Sequence, residues 1–182
     1  MDKRCTDLDL AARAAAGERD ALVRLLETHY PRIHRLAWRL TGSRDRAEDV
    51  AQDVCIAVAR RISGFRSEAA FGTWLAAIVV NAARDAHRRE GRHAALARDW
   101  AEADGLRREG DSARAAERAW LHAALAALDE ALRETAALVL EEGLSHAEAG
   151  RALGLREGTV SWRMSEIRRR LRARAQEERP ET

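Results

Sequence analysis

Apolar residues return every three or four positions along most of this chain, and that spacing predicts helix. The stretch that organises the rest runs from Ser145 to Arg172. Ser145 with Glu148 forms an S-x-x-E capping box, which predicts a helix start. That helix runs through Ala149 and Ala152 to Leu153, and Gly154 stops it by supplying a left-handed residue. A second helix follows with Val160, Met164, Ile167 and Leu171 as one buried stripe. A short capped helix, a glycine turn and a longer helix are the parts of a helix-turn-helix.

The same rhythm fills the chain upstream. Leu8, Leu10 and an alanine run predict a short first helix that Gly17 interrupts. From Asp20, the residues Leu22, Leu25, Leu26, Tyr30, Ile33, Leu36, Ala37 and Leu40 continue it to Gly42. Pro31 lies inside this pattern and is expected to kink or split the helix, because proline lacks the backbone donor and crowds the preceding turn. Ser43 opens the next helix, with a core stripe of Ala47, Val50, Ala51, Val54, Val58 and Ile62. Residues 63–70 read as a loop. Phe71 begins a helix whose Phe71, Trp74, Leu75, Ile78 and Ala82 face inward. Residues 91–111 lose the rhythm and read as a linker. Beyond it, a helix capped by Asp111 or Ser112 runs through Trp120, Leu121, Leu125 and Leu128. Another, from about 130 to 141, buries Leu132, Ala136, Val139 and Leu140. The organisation expected is an all-α chain of two small helical domains. It comprises an N-terminal segment (1–16), a first domain (17–90), a flexible linker (91–111), a second domain (112–175) and a tail (176–182). Domains of this size are only modestly stable alone.

Composition agrees with helix: the 182 residues are 46% hydrophobic but only 4% aromatic, with two prolines. Net charge is only +2, yet it is unevenly placed. The second helix of the helix-turn-helix carries Arg156, Arg163, Arg168, Arg169, Arg170, Arg172 and Arg174 against Glu157 and Glu166. Cys5 and Cys55 stand far apart without metal-ligand spacing, and the histidines are scattered, so no metal or cofactor is expected. No phosphate loop, nucleophile elbow or convergent carboxylate pair points to an enzyme. The opening residues lack the apolar core of a signal peptide, and no run reaches the ~18 apolar residues of a membrane span, which predicts a cytoplasmic protein.

Three stretches carry candidate chemistry. On the basic helix, Thr159, Ser161, Trp162 and Arg163 sit near its start, where a helix in the major groove meets base edges, and the following arginines suit phosphates. That order favours DNA binding over an ordinary amphipathic helix. Glu48, Asp49, Gln52 and Asp53 make an acidic side to their helix, which is either a solvated face or a docking face for a partner. Phe65, Arg66 and Ser67 in the loop, followed by Asn81, Arg84, Arg88 and Arg89, suit melted DNA, with aromatics taking unstacked bases and arginines holding the backbone. The plainer alternative is that Phe65, Phe71 and Trp74 are core. Gly150, inside a helix, is expected to cost roughly 0.5 to 1 kcal/mol and loosen the second domain.

In this order the segments 45–58, 65–89 and 128–171 resemble the core-polymerase-binding, minus-ten and minus-thirty-five segments of the extracytoplasmic-function (ECF) sigma factors of the sigma-70 family. The resemblance implies a transcription initiation factor built from a sigma region 2-like and a sigma region 4-like domain. By that resemblance Glu48, Asp49, Gln52 and Asp53 meet the clamp coiled coil of the largest subunit of core RNA polymerase, and the polymerase flap is a further contact. Phe65, Arg66, Ser67, Phe71, Asn81, Arg84, Arg88 and Arg89 serve the minus-ten element. Arg156, Glu157, Thr159, Ser161, Trp162, Arg163 and Arg168 serve the minus-thirty-five element. The further partners implied are promoter DNA and an anti-sigma factor. The rival is a plain helix-turn-helix regulator, which leaves the acidic face and the aromatic loop without a role.

Overall fold

Ala21, Leu25, Ile33, Leu36, Ala37 and Leu40 recur on one side of a helix, and they bury the long helix α2 (Arg19–Thr41). The computed structural model describes residues 3–66, 70–90 and 120–177. Helix α1 (Lys3–Ala15) lies against α2, and His29 Nε2 of α2 sits 3.2 Å from the Asp7 carboxylate of α1. Pro31 does not split α2 as expected. Both Pro31 and Glu27, whose carbonyl would otherwise accept from residue 31, lie on the exposed side, where water can take that acceptor. Gly42 ends the helix in a left-handed conformation (φ 67°), and its N–H donates to the Trp38 carbonyl at 2.8 Å.

Helix α3 (Arg44–Arg61) buries Ala47, Val50, Ala51, Val54 and Val58 against α2 and ends in a 3-10 turn, Ile62–Gly64. Helix α4 (Phe71–Glu90) packs on both α2 and α3, with Phe71, Leu75, Ile78 and Val79 all 5% exposed or less. Trp74 and Ala82 are only partly buried, at the edge of that core. The first unit is therefore a bundle of four helices with α4 closing one side.

In the second unit, residues 120–126 are helical (α5), and the Asp129 side chain caps α6 (Glu130–Ala136) by accepting from the Leu132 N–H at 3.0 Å. The helix does not continue regularly to residue 141. Its last stretch, Ala137–Glu141, is a π turn, closed by the Glu142 N–H on the Ala137 carbonyl. The wider turn rotates the side chains after it. Leu138 becomes fully buried while Leu140, expected inside, is 50% exposed and Val139 only partly buried. The linker and the cap at Asp111 or Ser112 lie outside the described residues.

The helix-turn-helix has the expected form. Helix α7 (His146–Leu153) carries both halves of the Ser145/Glu148 capping box and ends at Gly154 with φ 70°. Helix α8 (Glu157–Glu177) buries Val160, Met164 and Ile167, with Leu171 partly buried. Gly150 corrects the expectation of a loosened domain. A Cβ at that position would stand 2.7 Å from the Leu155 carbonyl oxygen. The Leu155 N–H also donates to the Gly150 carbonyl at 2.8 Å, so the turn folds back onto a helix position that only glycine leaves open. The two units touch: α4 packs along α7, and α2 meets α6 and the π turn, so one hydrophobic cluster runs through both.

The two glycines of the helix-turn-helix should therefore respond oppositely to alanine. Gly150→Ala is expected to destabilise by about 1 to 3 kcal/mol, because the backbone opposite must shift. Gly158→Ala, whose Cβ meets nothing within 4 Å, is expected to stabilise by about 0.4 to 1 kcal/mol through the unfolded state. Denaturant unfolding of both variants checks the contrast.

Candidate nucleic-acid interface

The acidic face comes first because α3 positions it most simply. With Ala47, Val50, Ala51 and Val54 turned inward, the helical repeat leaves Glu48, Asp49, Gln52 and Asp53 all exposed on the outer side. Glu48 and Asp53 have partners on neighbouring helices. The Tyr30 hydroxyl of α2 donates to Glu48 Oε1 at 2.8 Å, and His34 Nε2 lies 3.5 Å from Oε2. The Tyr30 hydrogen bond holds the Glu48 carboxyl below the usual carboxylate range and, in return, raises the Tyr30 phenol. Asp53 accepts from Arg89 Nη2 of α4 at 2.9 Å. Asp49 and Gln52 complete the face. Beside them Ile56 is 50% exposed, an apolar side chain at the edge of an acidic patch. Cys55 is a free, half-buried thiol whose proton is held more tightly by burial.

Along α4 the minus-ten candidates divide. Phe65, Phe71 and Trp74 form one aromatic cluster with centroids 5.3 to 5.7 Å apart. Phe71 is its floor, 2% exposed and 5.1 Å from the His29 ring, so it supports the loop and cannot reach a base. That corrects its assignment as a DNA contact. Phe65 is partly exposed above it and Arg66 is exposed. Ser67 lies outside the described residues. A cleft of about 550 Å³ between α3 and α4 is lined by Asp53, Arg61, Asn81, Asp85, Arg88 and Arg89. Asn81 is exposed there, Arg88 pairs with Asp85 of the same helix, and Arg89 reaches across to Asp53 of α3.

Arg84 is different. Its Nε and Nη2 donate at 2.6 and 2.7 Å to the two carboxylate oxygens of Glu134 on α6, a side chain only 6% exposed. The bond to Glu134 raises the Arg84 guanidinium further above its ordinary value. Three more contacts join the units: Arg32 with Glu142, Arg39 with Glu141 at 2.8 Å, and His87 with Glu130 at 3.4 Å. None was legible in the sequence, because each links residues 40 or more positions apart without a local pattern.

On the helix-turn-helix, Arg156, Glu157 and Arg168 are exposed and Thr159 half-buried. Trp162, 64% exposed, stands out from the helix start as a large apolar contact surface. Ser161 Oγ is hydrogen-bonded to His146 Nδ1 of α7 at 2.9 Å, which fixes where that hydroxyl points. Arg163 departs from expectation. Its Nη1 donates to the Ala131 carbonyl at 3.1 Å and to Thr135 Oγ1 at 3.3 Å, so it ties α8 to α6. Arg169 and Arg170 both hold Glu166, and those bonds, Arg169's first, lower its carboxyl to about 2.

Two family descriptions match this arrangement, "Sigma-70 region 2" over residues 25–93 and "Sigma-70, region 4" over residues 124–173. The ECF RNA polymerase sigma factor SigM of Mycobacterium tuberculosis H37Rv is 35% identical over 168 residues, spanning 91% of this chain and 83% of that one. The chain belongs to the ECF sigma factors of the sigma-70 family. The RNA polymerase sigma factor NccH of Alcaligenes xylosoxydans is 34% identical over 175 residues, covering 92% and 93% of the two chains. Among solved structures, CnrH in complex with the cytosolic domain of CnrY superposes with a TM-score of 0.71 at 27% identity, covering 96% of this chain and 99% of that one. The sigma factor RpoE of Bartonella quintana, solved with the anti-sigma factor NepR, shares the fold at a TM-score of 0.66 and 24% identity, covering 86% and 97%. In this sigma factor the region 2 match covers most of α2 together with α3 and α4, and the region 4 match holds the helix-turn-helix. Among the described residues no group of three or more His, Cys, Asp or Glu is placed to hold a metal, and no helix is long and apolar enough to cross a membrane.

Tyr30 is the one tyrosine in the chain, so its ultraviolet titration reads the acidic face directly. The phenol should ionise above its ordinary value of about 10. A raised folded-state value means that any stability this bond lends is complete below pH ~10 and is lost as the phenol ionises. Glu48→Gln removes the carboxylate and should bring the titration back towards ~10. An unchanged midpoint would show that the Tyr30–Glu48 bond is absent in solution.

Proposed function

We propose that three surfaces of this sigma factor divide the work of initiation, each on its own helix. The chain binds core RNA polymerase and directs it to promoters through regions 2 and 4. The acidic face of α3 (Glu48, Asp49, Gln52 and Asp53, with Ile56 beside them) docks on the clamp coiled coil of the largest subunit, and region 4 lies near the flap. Phe65 and Arg66, above the Phe71 floor, hold an unstacked minus-ten base, while Asn81, Arg88 and Arg89 line the cleft that tracks the strand. Arg84 joins them once it leaves Glu134. Trp162, Ser161 and Thr159 read the minus-thirty-five element, Arg156, Glu157 and Arg168 border it, and Arg163 fixes the angle of the reading helix.

The observation that carries this reading is a single chain bearing both an exposed acidic helix face and a capped helix-turn-helix with Trp162 standing out from its second helix. A plain regulator needs only the second. The chain performs no bond-making chemistry: it works in the cytoplasm by delivery. Arginine–phosphate contacts supply salt-dependent affinity, and a few base contacts, each about 1 to 3 kcal/mol, supply choice of promoter. CnrH was solved with the cytosolic domain of CnrY, and a comparable anti-sigma partner is expected to cover the docking and reading faces here.

Alanine at Glu48, Asp49 and Asp53 together removes three exposed carboxylates and no core atom, so the fold should survive. Co-purification with core polymerase and transcription from a cognate promoter should both fall more than about tenfold, which is about 1.4 kcal/mol of docking energy. Undiminished transcription would refute the docking assignment. Trp162→Ala should weaken the minus-thirty-five contact by roughly 1 to 3 kcal/mol while leaving polymerase binding intact, read by footprinting with assembled holoenzyme.

A further inference from the structure

Hydroxyls inside helices commonly donate to the carbonyl four residues earlier, one turn back along their own backbone. Thr28, Thr135 and Ser165 all do so here, at 2.8, 2.9 and 3.1 Å. Ser161 is different. Its Oγ turns to another helix and lies 2.9 Å from Nδ1 of His146 on α7, in a half-buried contact. The ring is held in place to meet it. His146 is the first residue of α7, and the capping box fixes that turn. The Ser145 N–H donates to Glu148 Oε2 at 2.9 Å, and the Glu148 N–H donates to Ser145 Oγ at 3.2 Å. Behind the pair α7 and α8 pack together, with Ala149 and Val160 fully buried. The hydroxyl has one hydrogen and two lone pairs. With the Glu157 carbonyl, four residues back, not engaged, His146 Nδ1 is the acceptor that this hydrogen finds among the described residues. Were Nδ1 the donor, the serine hydrogen would have no protein acceptor there.

We infer that His146 is a positioning residue for promoter reading: its bare Nδ1 takes the one hydrogen of Ser161, and the hydroxyl meets the groove with lone pairs alone. Such a group is an acceptor only. It favours a base that offers an amine in the major groove, adenine through N6 or cytosine through N4. Guanine and thymine present carbonyl oxygens there and are disfavoured. A serine free to rotate could donate or accept, and would discriminate little. The inference rests on the minus-thirty-five reading of Ser161 and adds what that reading lacks, the class of base and the residue that sets it. The neighbours on α8 fit this division. Trp162, 64% exposed, brings apolar surface beside the hydroxyl. Arg163, two residues on, is already held by the Ala131 carbonyl and the Thr135 hydroxyl of α6.

The test uses holoenzyme assembled from core polymerase and the full chain. It recovers duplexes from a pool randomised across both promoter elements, and sequencing them gives the base preference at each position. With the unaltered chain, one upstream position should favour adenine or cytosine on one strand by about three- to tenfold, the contribution of one hydrogen bond. Ser161→Ala should flatten that position and leave the others. His146→Phe keeps a ring but removes the accepting nitrogen, and should flatten the same position alone. Combined with Ser161→Ala it should add nothing further, because both changes act through one hydroxyl. His146→Asn, whose side-chain oxygen can stand where Nδ1 stands, should restore the preference, which a purely structural loss would not allow. A Ser161→Ala variant that alters no position would show that the serine is not a reader, and would bring down both that reading and this inference. A Ser161-dependent position that His146→Phe leaves intact, or one that prefers guanine or thymine, would overturn the inference alone. So would equal flattening of every position by His146→Phe, or failure of His146→Asn to restore the preference.

Discussion

The Glu134 carboxylate, 6% exposed and held by two N–H groups of Arg84, is the contact on which the relation of the two regions depends. A charge so enclosed is tolerable only with a well-aligned counter-charge, and removing one partner of such a pair typically costs about 3 to 5 kcal/mol. Yet the pair itself brings little net stability, because desolvation of both ions offsets most of their attraction. It is therefore better at specifying one arrangement than at making that arrangement permanent. A joint of this kind suits a protein whose two reading heads must sit together in one setting and apart in another. The apolar packing of α4 along α7 adds area to the joint, but α4 keeps its larger apolar face for the region 2 core.

What could be read in advance follows the range of the forces involved. The helix-turn-helix was legible because its determinants are local: Ser145 and Glu148 are three residues apart, Gly154 follows directly, and Val160, Met164 and Ile167 repeat along one helix. The acidic face of α3 was legible for the same reason. The misses share the opposite property. Pro31 leaves α2 whole because its position faces water, a tertiary fact. Gly150 is demanded by a carbonyl five residues later that approaches only after the turn has folded. Arg163 sits where a base-reading residue is expected, and the Ala131 carbonyl, 32 residues earlier, takes it inward. The π turn carries no signal in residue type, and its effect on Leu138 and Leu140 was invisible until the extra residue was seen.

The same distinction separates the two kinds of charge on the surface. Arg88, Arg89, Arg169 and Arg170 are exposed and pair with exposed or partly exposed neighbours, contacts that contribute little in water and exchange readily for phosphate. These arginines can exchange partners without rearrangement of the backbone. Arg84 and Arg32 are committed to nearly enclosed carboxylates, and Arg163 to backbone and hydroxyl acceptors of α6. Three roles thus arise from one residue type, and burial of the acceptor, more than the position of the arginine in sequence, tells them apart.

Two weak readers on one chain gain their strength from being placed, since linking them converts the second contact into an intramolecular one. That benefit depends on spacing, and it vanishes if the readers are held together at the wrong distance. A sigma factor whose regions associate through α4, α6 and α7 holds its two readers in one fixed relation for as long as that joint stays closed. The exposed carboxylates of α3 and the enclosed Glu134 of α6 lie on different units, so the joint at Glu134 leaves the α3 face uncovered.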